Sequence, residues 1–80
     1  MTILPGVALL RAWIADHGVT QRRFAIQNRL DPAELNKLLA GKRKSIGIEF
    51  AAKIEDGTGG AIPIRAFIPQ EVTEHESHGG

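Results

Sequence analysis

Seven basic side chains fall between Thr20 and Ser45 (Arg22, Arg23, Arg29, Lys37, Lys42, Arg43 and Lys44) against two acids, Asp31 and Glu34. Elsewhere the balance reverses, three basic residues to seven acids, so a net charge of +1 conceals a basic middle. Such a segment attracts a polyanion, through side chains whose charge is sequence-independent and whose spacing decides what they can reach.

Other groupings carry weaker chemistry. The glycines of "DGTGG" lack the lysine of a phosphate-binding loop and follow a helical pattern instead of a strand, so they read as a helix stop. "HESH", His75 to His78, offers two imidazoles without the spacing of a helical zinc pair, and it sits in a polar end. The serines are Ser45 and Ser77, and neither has a histidine and carboxylate placed to activate it. With no cysteine there is no disulfide framework, thiolate site or sulfur nucleophile. No enzyme activity, cofactor or metal is therefore expected.

Eighty residues leave room for one small domain with one core. Aliphatic residues are plentiful and aromatics few (Trp13, Phe24, Phe50, Phe67), which suits short packed helices. A first helix follows Pro5 and Gly6, with Val7, Leu10 and Ile14 at 3 and 4 spacing, and it stops at Gly18. Arg11 and Asp16 interrupt its apolar run and no basic leader precedes it, so neither a membrane span nor a signal peptide is read, and a cytoplasmic location is expected. Thr20 caps a second helix whose inward side holds Phe24, Ala25 and Asn28, leaving Arg22, Ile26 and Arg29 outward.

A third helix begins at "DPAE". Asp31 is a strong cap, Pro32 fits the first helical position, and Glu34 stands where it can reach back to the cap's own N–H, a capping box. Leu35, Leu38 and Leu39 form its buried stripe, and Gly41 closes it. Ala33 and Lys37 point most directly away from that stripe, with Asn36 and Ala40 on one flank and Glu34 on the other. After the basic loop, Ser45 can cap a fourth helix buried through Phe50, Ala51 and Ile54. "AIPIRAFI" then suggests a brief fifth helix that completes the core or meets a second subunit. The domain is expected over residues 1 to 68, and residues 69 to 80 as a flexible polar tail.

The stretch "TQRRFAIQNRLDPAELNKLLAG", residues 20 to 41, resembles the helix-turn-helix unit of the lambda-repressor and Cro (XRE-like) superfamily of regulators. Thr20 and Gln21 open the first helix of the pair, Phe24 and Ala25 pack inward, Leu35 and Leu38 occupy apolar positions, and Gly41 precedes Lys42, Arg43 and Lys44. "AAKIEDGTGGAI" is similar to the short Cro-like regulators grouped with YdaS-type proteins, to some of which antitoxin roles are ascribed. Two positions depart from the pattern. Arg29 stands where glycine is usual, and Asn28 replaces an apolar contact; since Asn tolerates left-handed backbone better than Arg, a turn displaced by one residue is an open alternative.

The resemblance implies an all-α, five-helix domain with the helix-turn-helix at helices 2 and 3, and a double-stranded DNA-binding regulator of repressor, phage or prophage type. Residues 32 to 40 would enter the major groove, with Ala33, Asn36 and Lys37 toward base edges, while Glu34 is assigned to the helix cap in preference to the alternative, acceptance from a cytosine N4 amine. Thr20, Gln21, Arg22, Lys42, Arg43 and Lys44 are the phosphate candidates. A domain this small reads one half-site, so a homodimer on a near-palindrome is expected, with Ile62, Ile64, Phe67 and Ile68 as interface candidates. The alternative is a protein-binding module, with a toxin or the transcription machinery as partner and Ile26 as a contact.

Overall fold

The computed structural model describes residues 2 to 71. Four helices make up most of it: α1 (Pro5–Asp16), α2 (Gln21–Gln27), α3 (Pro32–Leu39) and α4 (Ile48–Gly57). Their starts follow local chemistry. Proline opens α1 and α3 at positions where its missing N–H has no helical partner. The Thr20 hydroxyl accepts from the Arg23 N–H at 3.0 Å, capping α2. For α3, Asp31 Oδ1 accepts from the Ala33 N–H at 2.8 Å.

The four ends share one device, the Schellman motif, in which two backbone N–H groups beyond the helix return to carbonyls of its last turn. Gly18 and Val19 close α1 in this way, Gly41 and Lys42 close α3, and Gly59 and Gly60 close α4. The pivot residue must be left-handed, and glycine occupies it in these three helices, at φ 65°, 79° and 64°. In α2 the pivot is Arg29, at φ 59°, whose N–H donates to Ile26 O while Leu30 N–H donates to Ala25 O. The turn is thus not displaced to Asn28, which keeps φ at −108°.

Packing decides the rest. Leu10, Phe24, Leu35, Leu38, Leu39, Ile54 and Ile62 are fully buried, one or more from every helix. Burial of such a side chain contributes about 1.5–3 kcal/mol against about 1 kcal/mol for a cap, so the apolar stripes, not the caps, hold the helices together. Asn28 joins them from the α2 end: its side-chain amide donates to Phe24 O at 2.8 Å and packs against Gly57, where a Cβ would stand 2.3 Å from it. Thr58, buried at the end of α4, donates to Ile54 O at 2.8 Å and accepts from the Ile62 N–H at 3.2 Å, which brings the chain back over the core.

Several expectations are corrected. Ser45 does not cap the fourth helix; residues 45 to 47 stay outside it, Ile46 packs against the core from there, and Gly47 precedes α4 in extended geometry with no side-chain cap. The expected fifth helix is one 3-10 turn, Ile64–Phe67. Pro63 immediately precedes it and Pro69 follows, and a residue before proline is pushed out of helical geometry, so nothing longer fits between them. Its Phe67 ring covers Gly6, where an added Cβ would lie 2.6 Å from the ring. Finally, β1 (Thr2–Ile3) pairs antiparallel with β2 (Gln70–Glu71), so residues expected in the tail are joined to the domain.

Candidate nucleic-acid interface

The α2 and α3 helices are joined by four residues, 28 to 31, and pack on each other, with Phe24, Ala25, Leu35 and Leu38 buried. With its leucines turned inward, α3 presents Ala33, Asn36, Lys37 and Ala40 to solvent. The three base-reading candidates therefore share one exposed face. Asn36 Nδ2 donates to Gln21 Oε1 at 3.3 Å, which ties that face to the start of α2 and leaves the Gln21 amide nitrogen without an acceptor among the described residues.

Of the phosphate candidates, Thr20, Gln21, Arg22, Lys42 and Lys44 are exposed. The Thr20 hydroxyl oxygen already accepts the cap bond from Arg23, which leaves its proton to donate outward. Arg43 behaves differently. The Schellman closure folds the loop against α3, with Lys42 N–H on Lys37 O at 2.9 Å, and the Arg43 side chain runs back along the helix to Glu34.

Glu34 corrects the capping-box expectation. Its carboxylate does not return to the Asp31 N–H; it accepts from Arg43 Nη1 through Oε1, while Oε2 lies 3.7 Å from Lys37 Nζ. The cap is made by Asp31 alone, and it bonds Ala33 instead of the residue a full box would use. One carboxylate thus sits between two cations that the sequence assigned separately, one to bases and one to phosphates. Local spacing offers no signal for this, because Arg43 reaches Glu34 only after the chain reverses at Gly41.

A second basic residue arrives by tertiary packing: Arg11 of α1 lines a shallow cleft with Arg43, Gly41 and Ile3. The Lys53 ammonium donates to Arg29 O at 3.1 Å, holding α4 against the α2–α3 turn. Ile26, 58% exposed, lies on the open side of α2 beside Arg22 and Arg23.

The interface candidates from the chain's end separate. Ile62 and Phe67, at 2% and 3% exposure, are core and cannot meet a second subunit; Ile64 is half-buried against the core. Ile68, at 58%, is exposed, close to Ile48 across an apolar groove.

Among the described residues no three His, Asp or Glu side chains gather as a metal site, and no helix is long and apolar enough to cross a membrane. His75 and His78 lie outside the described residues. No protein-family model, curated protein or solved structure matches the chain.

Proposed function

We propose that this chain is a sequence-specific double-stranded DNA-binding regulator of the helix-turn-helix kind, cytoplasmic and repressor-like, with α3 as the element that enters the major groove. The observation that carries the reading is the exposed face of α3. Ala33, Asn36 and Lys37 stand together there, anchored through Asn36 to Gln21, beside a loop that supplies Lys42 and Lys44. Asn offers both a donor and an acceptor to adenine, Lys donates to guanine, and a short alanine methyl admits the thymine methyl. The flanking cations supply the sequence-independent attraction that positions them. One domain reaches one half-site, so a homodimer on a near-palindromic operator completes the proposal.

Salt titration of duplex binding tests it. Log K should fall linearly with log salt, and Lys42→Ala with Lys44→Ala should flatten the slope by about 0.9 for each phosphate contact removed. Binding that ignores salt and both substitutions would refute it.

A second reading, docking of a protein partner such as a toxin or the transcription machinery, is favoured by one observation, the exposed Ile26 flanked by Arg22 and Arg23. Ile26→Asp should abolish such docking while leaving duplex binding in place.

A further inference from the structure

We propose that Arg43 and Glu34 act as a unit that reads one G·C base pair, with Glu34 as the positioning residue for the Arg43 guanidinium; the assignment rests on the DNA-binding reading above. Arg43 belongs to a loop, where a cation would ordinarily reach outward to a phosphate. Here the closure at Gly41 and the Lys42 N–H bond to Lys37 O turn the loop back along α3. Its side chain ends beside Glu34 in the first turn of α3, one residue from the exposed Ala33.

The chemistry of the pair selects its ligand. Bonding to Glu34 through Nη1 leaves Arg43 with donors on Nε and Nη2, held in a fixed plane. Glu34 keeps unused lone pairs, since a carboxylate offers about four acceptor positions and two are directed at Arg43 and Lys37. The pair therefore displays donors and an acceptor side by side. A phosphate offers acceptors only, and one that approached the guanidinium would meet the Glu34 carboxylate as a like charge. A G·C pair offers both in the major groove: guanine N7 and O6 accept, and the adjacent cytosine N4 amine donates. Arg43 fits the guanine and Glu34 the cytosine.

Exposure permits this contact. The Arg43 and Glu34 side chains are 36% and 37% exposed, enough to reach a ligand and enclosed enough to hold their mutual orientation. Lys37, 56% exposed, balances the carboxylate from its other side, so the group keeps a net positive charge toward DNA.

The test begins with the full chain and a duplex selected from a random pool. Each position of that site is then replaced by every base pair, and affinities are compared for the wild type, Arg43→Lys, Glu34→Gln and Arg43→Ala. The wild type should require G·C at one position of each half-site. Arg43→Lys keeps the charge but not the fork, and should lose about tenfold of that preference with an unchanged salt slope. Glu34→Gln should relax the same position and raise affinity for unrelated duplexes, because the like charge is gone. Both variants should retain the wild-type melting curve to within a few degrees, because an ion pair more than a third exposed contributes little to stability. The assignment is overturned if Arg43→Ala weakens all duplexes alike, lowers the salt slope by about one and leaves every base preference intact; Arg43 is then a phosphate contact. A wild type that selects no duplex removes the DNA-binding reading itself, and this assignment with it.

Discussion

Lys53 donates to the backbone carbonyl of Arg29 at 3.1 Å, so α4 clamps the one left-handed residue among the described residues that is not glycine. The clamp holds a conformation that arginine disfavours. Left-handed backbone costs a residue with a Cβ about 1–2 kcal/mol, and glycine loses about 0.5–1 kcal/mol in extra chain entropy. Arg29→Gly should therefore stabilise the domain by about 0.5–1 kcal/mol, raising Tm by roughly 4–8 °C per kcal/mol for a chain of this size. A thermal melt checks it; a fall in Tm would mean that the arginine side chain supports the turn.

Gly57 ends α4, where alanine would ordinarily be favoured by about 1 kcal/mol. Here a Cβ would meet Oδ1, Cγ and Nδ2 of Asn28 at 2.3 to 2.7 Å, so the sign should reverse. We expect Gly57→Ala to destabilise by about 1–3 kcal/mol in urea unfolding. Combining it with Asn28→Ala should cost less than the sum of the two, because the second change opens the space that the first requires.

Asp31 and Glu34 share no partner, although their spacing suggests a reciprocal cap. Asp31→Ala should cost about 1 kcal/mol and Asp31→Asn little. In a double-mutant cycle, Asp31→Ala and Glu34→Gln should add to within about 0.5 kcal/mol. A larger coupling energy would restore the capping box.

Phe67 and Ile68 are neighbours in sequence with opposite environments, 3% and 58% exposed. Phe67→Ala should cost about 3–5 kcal/mol, which leaves a domain this small close to unfolding, whether or not it pairs. Ile68→Asp should change stability by no more than about 0.5 kcal/mol. If the proposed homodimer uses the Ile68 and Ile48 face, that variant sediments as a monomer at micromolar concentration where the wild type does not; identical sedimentation of the two removes this face from the dimer.

What could be read from the sequence follows the range of each interaction. Thr20 and Asp31 act within three residues, so their caps and the helices behind them are visible locally. The inward stripes of Leu35, Leu38, Leu39, Ala51 and Ile54 follow from helical periodicity alone. The partner of Glu34 is invisible locally because Arg43 comes to it through a reversal at Gly41, and a capping box satisfies the same local pattern. Pairing of Thr2–Ile3 with Gln70–Glu71 joins opposite ends of the chain through two residues each, too short for any alternation to show. The fifth helix failed for a reason that was legible, the two prolines that bound it. Of the candidate site, the α3 face was readable from angular position, whereas the Gln21–Asn36 bond and the arrival of Arg11 beside Arg43 depend on how helices pack.

The central claim, that the outer face of α3 reads DNA, is tested most directly by selecting duplexes from a random pool with the full chain at near-physiological salt. The account predicts enrichment of a near-palindrome with half-sites about one helical turn apart, and loss of that enrichment on combined Asn36→Ala and Lys37→Ala substitution in a protein that still melts like the wild type. A pool that stays random, or an enriched sequence that the double variant still selects, would contradict it.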